Sequence, residues 1–346
     1  MQRVRLKDIA QEAGVAVITV SKALRGYPDV APETRAKILS IAQRFGYVPD
    51  ASARSLRSKR SGLVGLIVPR ITNPLLTGVV DGVLERLQAA GLNVFIVQSD
   101  NEPEREDRAI IECVSRRVEG MLIIPCGRPA VDVLAYKWLR ERGIPTVIVG
   151  PGPVFCQSFP TVRADELEGM RIITEHLIKL GHQKIAFISG PSLWPGMQLR
   201  LEGYRRALMN AGIGVDDRLI IATGPTFENG RNTGLLLKDL LASGTTAIQA
   251  GNDLIATGVL MTLKEFGLHV PDDVSVSGFG DVWLAACTAV PLTTVRVPKF
   301  QLGIRAAENL MAQLAGEKVS NDILPVELVI RASTGPVKSH TQNTGL

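Results

Sequence analysis

The sequence predicts a small all-α head carrying a helix–turn–helix, followed by an α/β body built as two doubly wound parallel-sheet lobes with a cleft between them. Three observations carry that fold class. Residues 6–24, LKDIAQEAGVAVITVSKAL, hold two short apolar periodicities at helical spacing, separated at Gly14. From Leu63 the chain alternates near-continuous Val/Ile/Leu runs with helical stretches, the pattern of a parallel sheet covered on both faces. That alternation runs to about residue 150 and then repeats.

In the head, Leu6, Ile9 and Ala10 mark a first helix, and Val17, Val20, Ala23 and Leu24 restart the pattern on a new face. Gly14 suits the sharp bend between them, because a side chain resists positive φ. The second helix leaves Val17, Ile18, Ser21 and Lys22 facing outward. A helix of this size fits the major groove of DNA, where its first turn reaches base edges. Pro32 suits the first turn of a third helix, with Glu33 near its positive end. Ile38, Leu39, Ile41, Ala42 and Phe45 form its buried stripe and Gly46 closes it, so the head spans residues 1–48.

Charge separates this head from an ordinary αα-hairpin. Residues 1–62 hold twelve Lys and Arg against five Asp and Glu, a net of +7, whereas the remainder holds 27 against 29, a net of −2. A basic head on a near-neutral body is the electrostatic footprint of nucleic-acid binding. Residues 49–62 are a hinge or linker with Arg54, Arg57, Lys59, Arg60 and one large apolar side chain, Leu56. So short a segment is marginal as an isolated helix. Two copies meeting on DNA would fold there and insert Leu56 as a minor-groove wedge; the alternative is a solvated basic linker.

The body's strands are read at 63–68, 93–97, 121–124 and 146–149, with helices at 75–90, to Arg117 and near 131–142; an irregular stretch runs from Pro151 to Pro160. The second round has strands at 184–189, 219–222, 246–250 and 274–279, with helices at 166–180, 197–212, 228–242 and 253–267. LTTV (292–295), a helix at 299–315 and ELVIR (327–331) cross back between lobes. The first lobe is therefore 63–160 with about 293–322, the second 161–292 with about 323–334, and 335–346 is a disordered tail. Ligands of such sheets bind at the carboxyl ends of the strands.

Composition narrows the function. With 45% apolar residues the chain can bury large cores, and no apolar run reaches transmembrane length. Arg3, Arg5 and Lys7 precede no apolar h-region, so no signal peptide is expected. Cys113, Cys126, Cys156 and Cys287 are scattered, and read as reduced, buried small hydrophobes of a cytoplasmic protein. An enzyme is disfavoured: there is no GxxxxGK[ST] or GxSxG, and His176, His182, His269 and His340 lack metal-ligand spacing. Neither cofactor nor metal is expected. A transport-type sugar-binding protein would explain two lobes but not the basic head.

The segments LKDIAQEAGV…TVSKAL, ETRAKI…FGYVPDASARSL, LVGLIVPRITNP and GNDLIATG…PDDVSVSGFGD…PLTTV occur in collinear order and resemble the LacI/GalR family of bacterial transcription regulators. The resemblance implies a homodimer or tetramer on a pseudo-palindromic operator, with a sugar, sugar derivative or nucleobase as effector in the cleft. It places Val17, Ile18 and Lys22 on base edges, Thr19 and Ser21 on phosphates, and Leu56 with Ala53 in the hinge wedge. In the cleft it implies Arg200, Asn252 and Asp253 as polar ligand contacts, with Leu75 and Leu76 where relatives often place an aromatic. Trp194 and Trp283 lie on cleft loops, where each either stacks on a sugar face or packs.

Four departures matter. Ala16 and Ala31 stand where the family usually has serines, and alanine cannot cap free N–H groups, at a cost of about 1 kcal/mol each. The head should therefore have low intrinsic stability and fold fully only on DNA. Lys22 replaces a common arginine, so bidentate guanine reading is not expected there. The family's aspartate after Gly-Phe is missing from Gly278-Phe279-Gly280-Asp281, which, unless Asp281 substitutes, favours a less polyhydroxylated or an anionic ligand such as a sugar acid.

Overall fold

A computed structural model describes residues 4–48 and 61–338. The chain divides between Ser61 and Gly62 into two compact units.

The head has three helices, α1 (Leu6–Ala13), α2 (Val17–Leu24) and α3 (Pro32–Arg44). They share a core of Ile9, Ala10, Ala13, Val20, Ala23, Val30, Ile38, Ile41 and Ala42. Gly14 ends α1 at φ 72°, where its N–H reaches the Ala10 and Gln11 carbonyls. Leu39, expected in the buried stripe, is exposed. It lies about 100° around the helix from Ile38, off the face shared by Ile38, Ile41 and Ala42. Ala16 and Ala31 sit at the N-caps of α2 and α3 with no side-chain hydrogen bond, as expected.

The body contains β1 (Leu63–Val68), α4 (Pro74–Ala89), β2 (Asn93–Gln98), α5 (Pro103–Ser115), β3 (Gly120–Ile123), α6 (Leu134–Glu141), β4 (Thr146–Val149) and β5 (Thr161–Ala164). There follow α7 (Glu166–Lys179), β6 (Ile185–Ser189), α8 (Pro195–Asn210), β7 (Ile220–Ala222), α9 (Phe227–Arg231), α10 (Gly234–Ala242), β8 (Ala247–Ala250), α11 (Asp253–Glu265) and β9 (Ser275–Ser277). The last part comprises α12 (Trp283–Cys287), β10 (Thr294–Arg296), α13 (Lys299–Leu314), β11 (Asp322–Leu324) and β12 (Glu327–Val329). A six-stranded parallel sheet runs β11-β5-β4-β3-β1-β2, and a four-stranded parallel sheet runs β7-β6-β8-β9. β10 and β12 pair antiparallel as a separate ribbon.

Helices cover these sheets by close backbone approach. A β-carbon on Gly82 of α4 would lie 2.2 Å from the Phe300 carbonyl oxygen of α13, and one on Gly203 of α8 would lie 2.2 Å from that of Leu167 in α7. Glycine is therefore required at both crossings. One apolar cluster joins the sheets, from Leu66 and Val147 through Phe279 and Val295 to Phe187 and Tyr204. The last two rings stack at 5.3 Å.

The topology corrects several expectations. Residues 161–164, assigned to the second lobe, form β5 inside the first sheet, and β11 at 322–324 pairs beside it. The first lobe therefore extends past the expected boundary at 160. β5, β11 and α12 were not foreseen, being only three to five residues long. The helix expected at 228–242 is two, α9 and α10, with Asn232 and Thr233 between them. Cys113, Cys126 and Cys156 are buried, but Cys287 is exposed at the end of α12. Residues 335–338, expected to be disordered, are packed: Gly335 N–H donates to Ser275 Oγ, and Val337 N–H to the Leu180 carbonyl.

Candidate nucleic-acid interface and ligand cavity

On the head, α2 presents Val17 and Ile18, adjacent in its first turn, at 45% and 61% exposure. Thr19 and Lys22 are partly exposed. Lys22 forms an ion pair with Asp29, a partner seven residues along the chain. Ser21, expected to face outward, is buried beside Val20 and Ala23 of α2. Ala53 and Leu56 lie outside the described residues.

In the body, the carboxyl ends of both sheets open on a cavity of about 730 Å³. Pro69 and Arg70 follow β1, Ile124 and Pro125 follow β3, Pro191 follows β6, and Asn252 and Asp253 follow β8. α4 contributes Leu75, Leu76 and Val79, and α8 contributes Met197 and Arg200. Asn73 caps α4 by accepting from Leu75 N–H at 3.1 Å, which brings the two leucines to the wall. Six of the eight expected ligand residues line this space: Leu75, Leu76, Trp194, Arg200, Asn252 and Asp253.

Three of the polar ones are already engaged. Asn252 caps α11, its Oδ1 accepting from Ile255 N–H at 2.8 Å while its Nδ2 donates to the Pro225 carbonyl. Asp253 is 1% exposed; it accepts from Thr294 Oγ1 at 2.5 Å and from Val282 N–H at 2.9 Å. Burial pushes its carboxyl up to about 6, against the pull of those two hydrogen bonds. Arg200 donates through Nε to Glu166 at 2.5 Å and through Nη1 to the Gly251 carbonyl, with its guanidinium carbon 3.9 Å above the Phe279 ring. It is therefore not a free anion receptor.

Asp281 and Trp283 are not among the residues lining the cavity. Asp281 turns away at φ 47° and pairs with Arg296 of β10 at 2.8 Å and Arg331 at 2.6 Å. Burial raises its carboxyl, yet the two guanidinium groups hold it below the usual range. It does not substitute for the missing cleft aspartate. Trp283 is 70% exposed on the first turn of α12.

Arg70, Asn101 and Glu228 also line the cavity, on loops that the strand-end rule already points to, whereas Glu166 is a lining residue that the sequence pattern does not single out. Glu166 opens α7 behind the Asp165 cap, where a carboxylate reads as a helix-dipole partner. Its ion pair with Arg200, 34 residues away, left no local signal. Among the described residues there is no cluster of His, Cys, Asp and Glu fit to hold a metal, and no helix long and apolar enough to cross a membrane.

Comparison with known proteins agrees with this anatomy. The family model for bacterial regulatory proteins of the lacI family matches residues 5–50, and that for a periplasmic binding protein-like domain matches residues 174–334. The HTH-type transcriptional regulator MalR of Streptomyces coelicolor is 32% identical over 338 residues, covering 95% of this chain and 96% of its own. Among solved structures, the lac repressor dimer bound to operator and the anti-inducer ONPF superposes with a TM-score of 0.85 at 26% identity, covering 96% of this chain and all of that one. The cellobiose complex of the transcriptional regulator CelR superposes at 0.73 with 29% identity, again over 96% of this chain and 100% of the other.

Proposed function

This chain belongs to the lacI family of bacterial regulatory proteins, and from that premise we propose that it represses a carbohydrate-related operon under control of a sugar or sugar derivative bound in the body cavity. Like its relatives it is a DNA-binding transcriptional regulator, not an enzyme. The observation that carries the effector reading is the cavity at the carboxyl ends of two parallel sheets; the CelR neighbour was solved as a complex with cellobiose, which supports a sugar as occupant. Val17, Ile18 and Lys22 of α2 read base edges of the operator and Thr19 holds a phosphate, with Ala53 and Leu56 at the operator's centre. The exposure of Val17 and Ile18 supports this, since apolar side chains in the major groove meet thymine methyl groups. The working form is a homodimer, so the operator is a pseudo-palindrome.

Control is a population shift. An effector that binds one arrangement of the two lobes better than the other changes the share of protein competent for DNA, by no more than its differential affinity. Mobility-shift titration of the DNA upstream of the chain's own coding region tests the proposal. Retardation should be lost on deleting residues 1–60 and should respond to a sugar. Retardation that survives the deletion, or that no sugar changes, would sink it.

A further inference from the structure

We infer that Glu166 sets the charge selectivity of the cavity: by pairing with Arg200 it makes the site take an uncharged sugar or sugar derivative with an apolar face and refuse sugar acids and phosphates. The inference rests on the reading of the cavity as the effector site.

Arg200 is the cation that α8 carries to the cavity wall, and an unpaired guanidinium there would be a receptor for carboxylate or phosphate. It is not unpaired. Its Nε meets Glu166 Oε2 at 2.5 Å, its Nη1 meets the Gly251 carbonyl, and its face lies on Phe279. The two charged side chains are only 8% and 9% exposed, so their charges cancel in a poorly solvated place. An anionic ligand reaching Arg200 would have to displace Glu166 or sit beside its carboxylate; either is costly where screening is weak. A hydroxyl meets no such penalty, since it donates to Glu166 or accepts from a guanidinium N–H equally well.

The rest of the lining agrees. The cations are Arg70 and Arg200, against Glu166, Glu228 and Asp253, so acids outnumber bases three to two. Arg70 is itself 3.7 Å from Asp100. The lining also holds Leu75, Leu76, Val79, Ile124 and Val149, apolar side chains that suit a ring with a hydrogen-bearing face rather than one ringed by charge. The absent cleft aspartate favours a less polyhydroxylated or an anionic ligand. The Glu166–Arg200 pair favours the first of these over the second.

Calorimetry on the full chain with matched pairs provides the test: glucose with glucuronate, galactose with galacturonate, and uridine with its 5′-monophosphate. The uncharged member of the binding pair should be at least about tenfold tighter than its anion. Glu166→Gln keeps an acceptor for Arg200 while removing the negative charge. It should shrink that ratio by about tenfold, through tighter anion binding rather than a general loss. Glu228→Gln, at the exposed start of α9, should shrink it by about two- to threefold without touching the buried pair, and serves if the first variant does not fold. Equal or tighter binding of the anion by the unaltered protein would overturn the inference while leaving the effector site intact. A Glu166→Gln variant that folds and keeps the original ratio would overturn the role of Glu166. Failure of every pair to bind up to about 10 mM would instead overturn the effector reading of the cavity, and the inference with it.

Discussion

Gly127 and Trp194 meet across the rim of the body cavity so closely that a β-carbon on Gly127 would lie 2.7 Å from the indole Cδ1 and 2.7 Å from the Leu193 carbonyl oxygen. Gly127 belongs to the loop after β3 in the first lobe, and Leu193 and Trp194 to the loop after β6 in the second. Neither backbone carbonyl nor ring can yield cheaply. Gly127→Val should hold these loops apart, weaken effector binding by about tenfold or more, and red-shift Trp194 emission as the indole gains water. Unchanged affinity in calorimetry would show that closure here is not needed for binding.

The exposed apolar pair on α2 predicts a separation of stability from DNA affinity. Val17→Ala and Ile18→Ala remove side chains that are 45% and 61% exposed, so the head should melt within about 0.5 kcal/mol of the original. Operator affinity should fall by about 1–2 kcal/mol for each in fluorescence anisotropy. Asp29→Asn should act in the opposite direction, releasing Lys22 and removing a negative charge, with a gain that fades as salt rises.

Ala16 and Ala31 leave the first amides of α2 and α3 without side-chain acceptors. Ala16→Ser and Ala31→Ser should each stabilise the head by about 1 kcal/mol. Amide hydrogen exchange in the full chain reads this directly: Thr19 should gain protection in the first variant, and no gain would mean the existing Thr19 N–H to Ala16 carbonyl bond already suffices.

His182 ties the C-terminal strap to the second sheet. Its Nδ1 accepts from Thr246 Oγ1 at 2.9 Å, and its Nε2 lies 3.0 Å from both Ser275 Oγ and the Gly335 carbonyl. Burial lowers the pKa of His182 below the ordinary 6.5, and that of the neighbouring His176 as well. A depressed imidazole favours the fold while neutral. This stabilisation is therefore full above about pH 6.5 and declines as pH falls through the folded-state value. Urea melts between pH 5 and 8, read as order-of-magnitude differences, should show a slope that His182→Gln flattens; an identical slope in the variant would remove His182 as its source.

Asp281, displaced from the ligand role, gains a mechanical one. Its carboxylate holds Arg296 on β10 and Arg331 beyond β12, so Asp281→Ala leaves Arg296 with the exposed Glu327 and Arg331 with the Leu292 carbonyl alone. Chemical denaturation should register a loss of about 2 kcal/mol, below the range for fully buried pairs because Arg296 is half exposed. Effector affinity should change by less than about threefold, a difference calorimetry resolves.

Legibility followed locality. Gly14 was readable as a bend, and Ala16 and Ala31 as missing caps, because each acts on backbone within four residues of itself. Leu75, Leu76, Trp194, Arg200, Asn252 and Asp253 reached the cavity wall because strand ends and helix starts place them there. Ser21 and Leu39 were misjudged for a different reason: a three-helix core chooses which flank of each helical stripe it covers, and periodicity alone leaves that choice within about 100°.

Composition, periodicity and collinear motifs suffice for a basic helix–turn–helix head, a twice-repeated parallel α/β pattern and membership in a regulator family. That β5 and β11 complete the first sheet, that Asp281 faces away from the cavity and that Glu166 occupies Arg200 come instead from how the folded chain packs. Each of those depends on groups separated by fifteen to more than a hundred residues, brought together by strand register and helix packing. No local propensity encodes such a meeting.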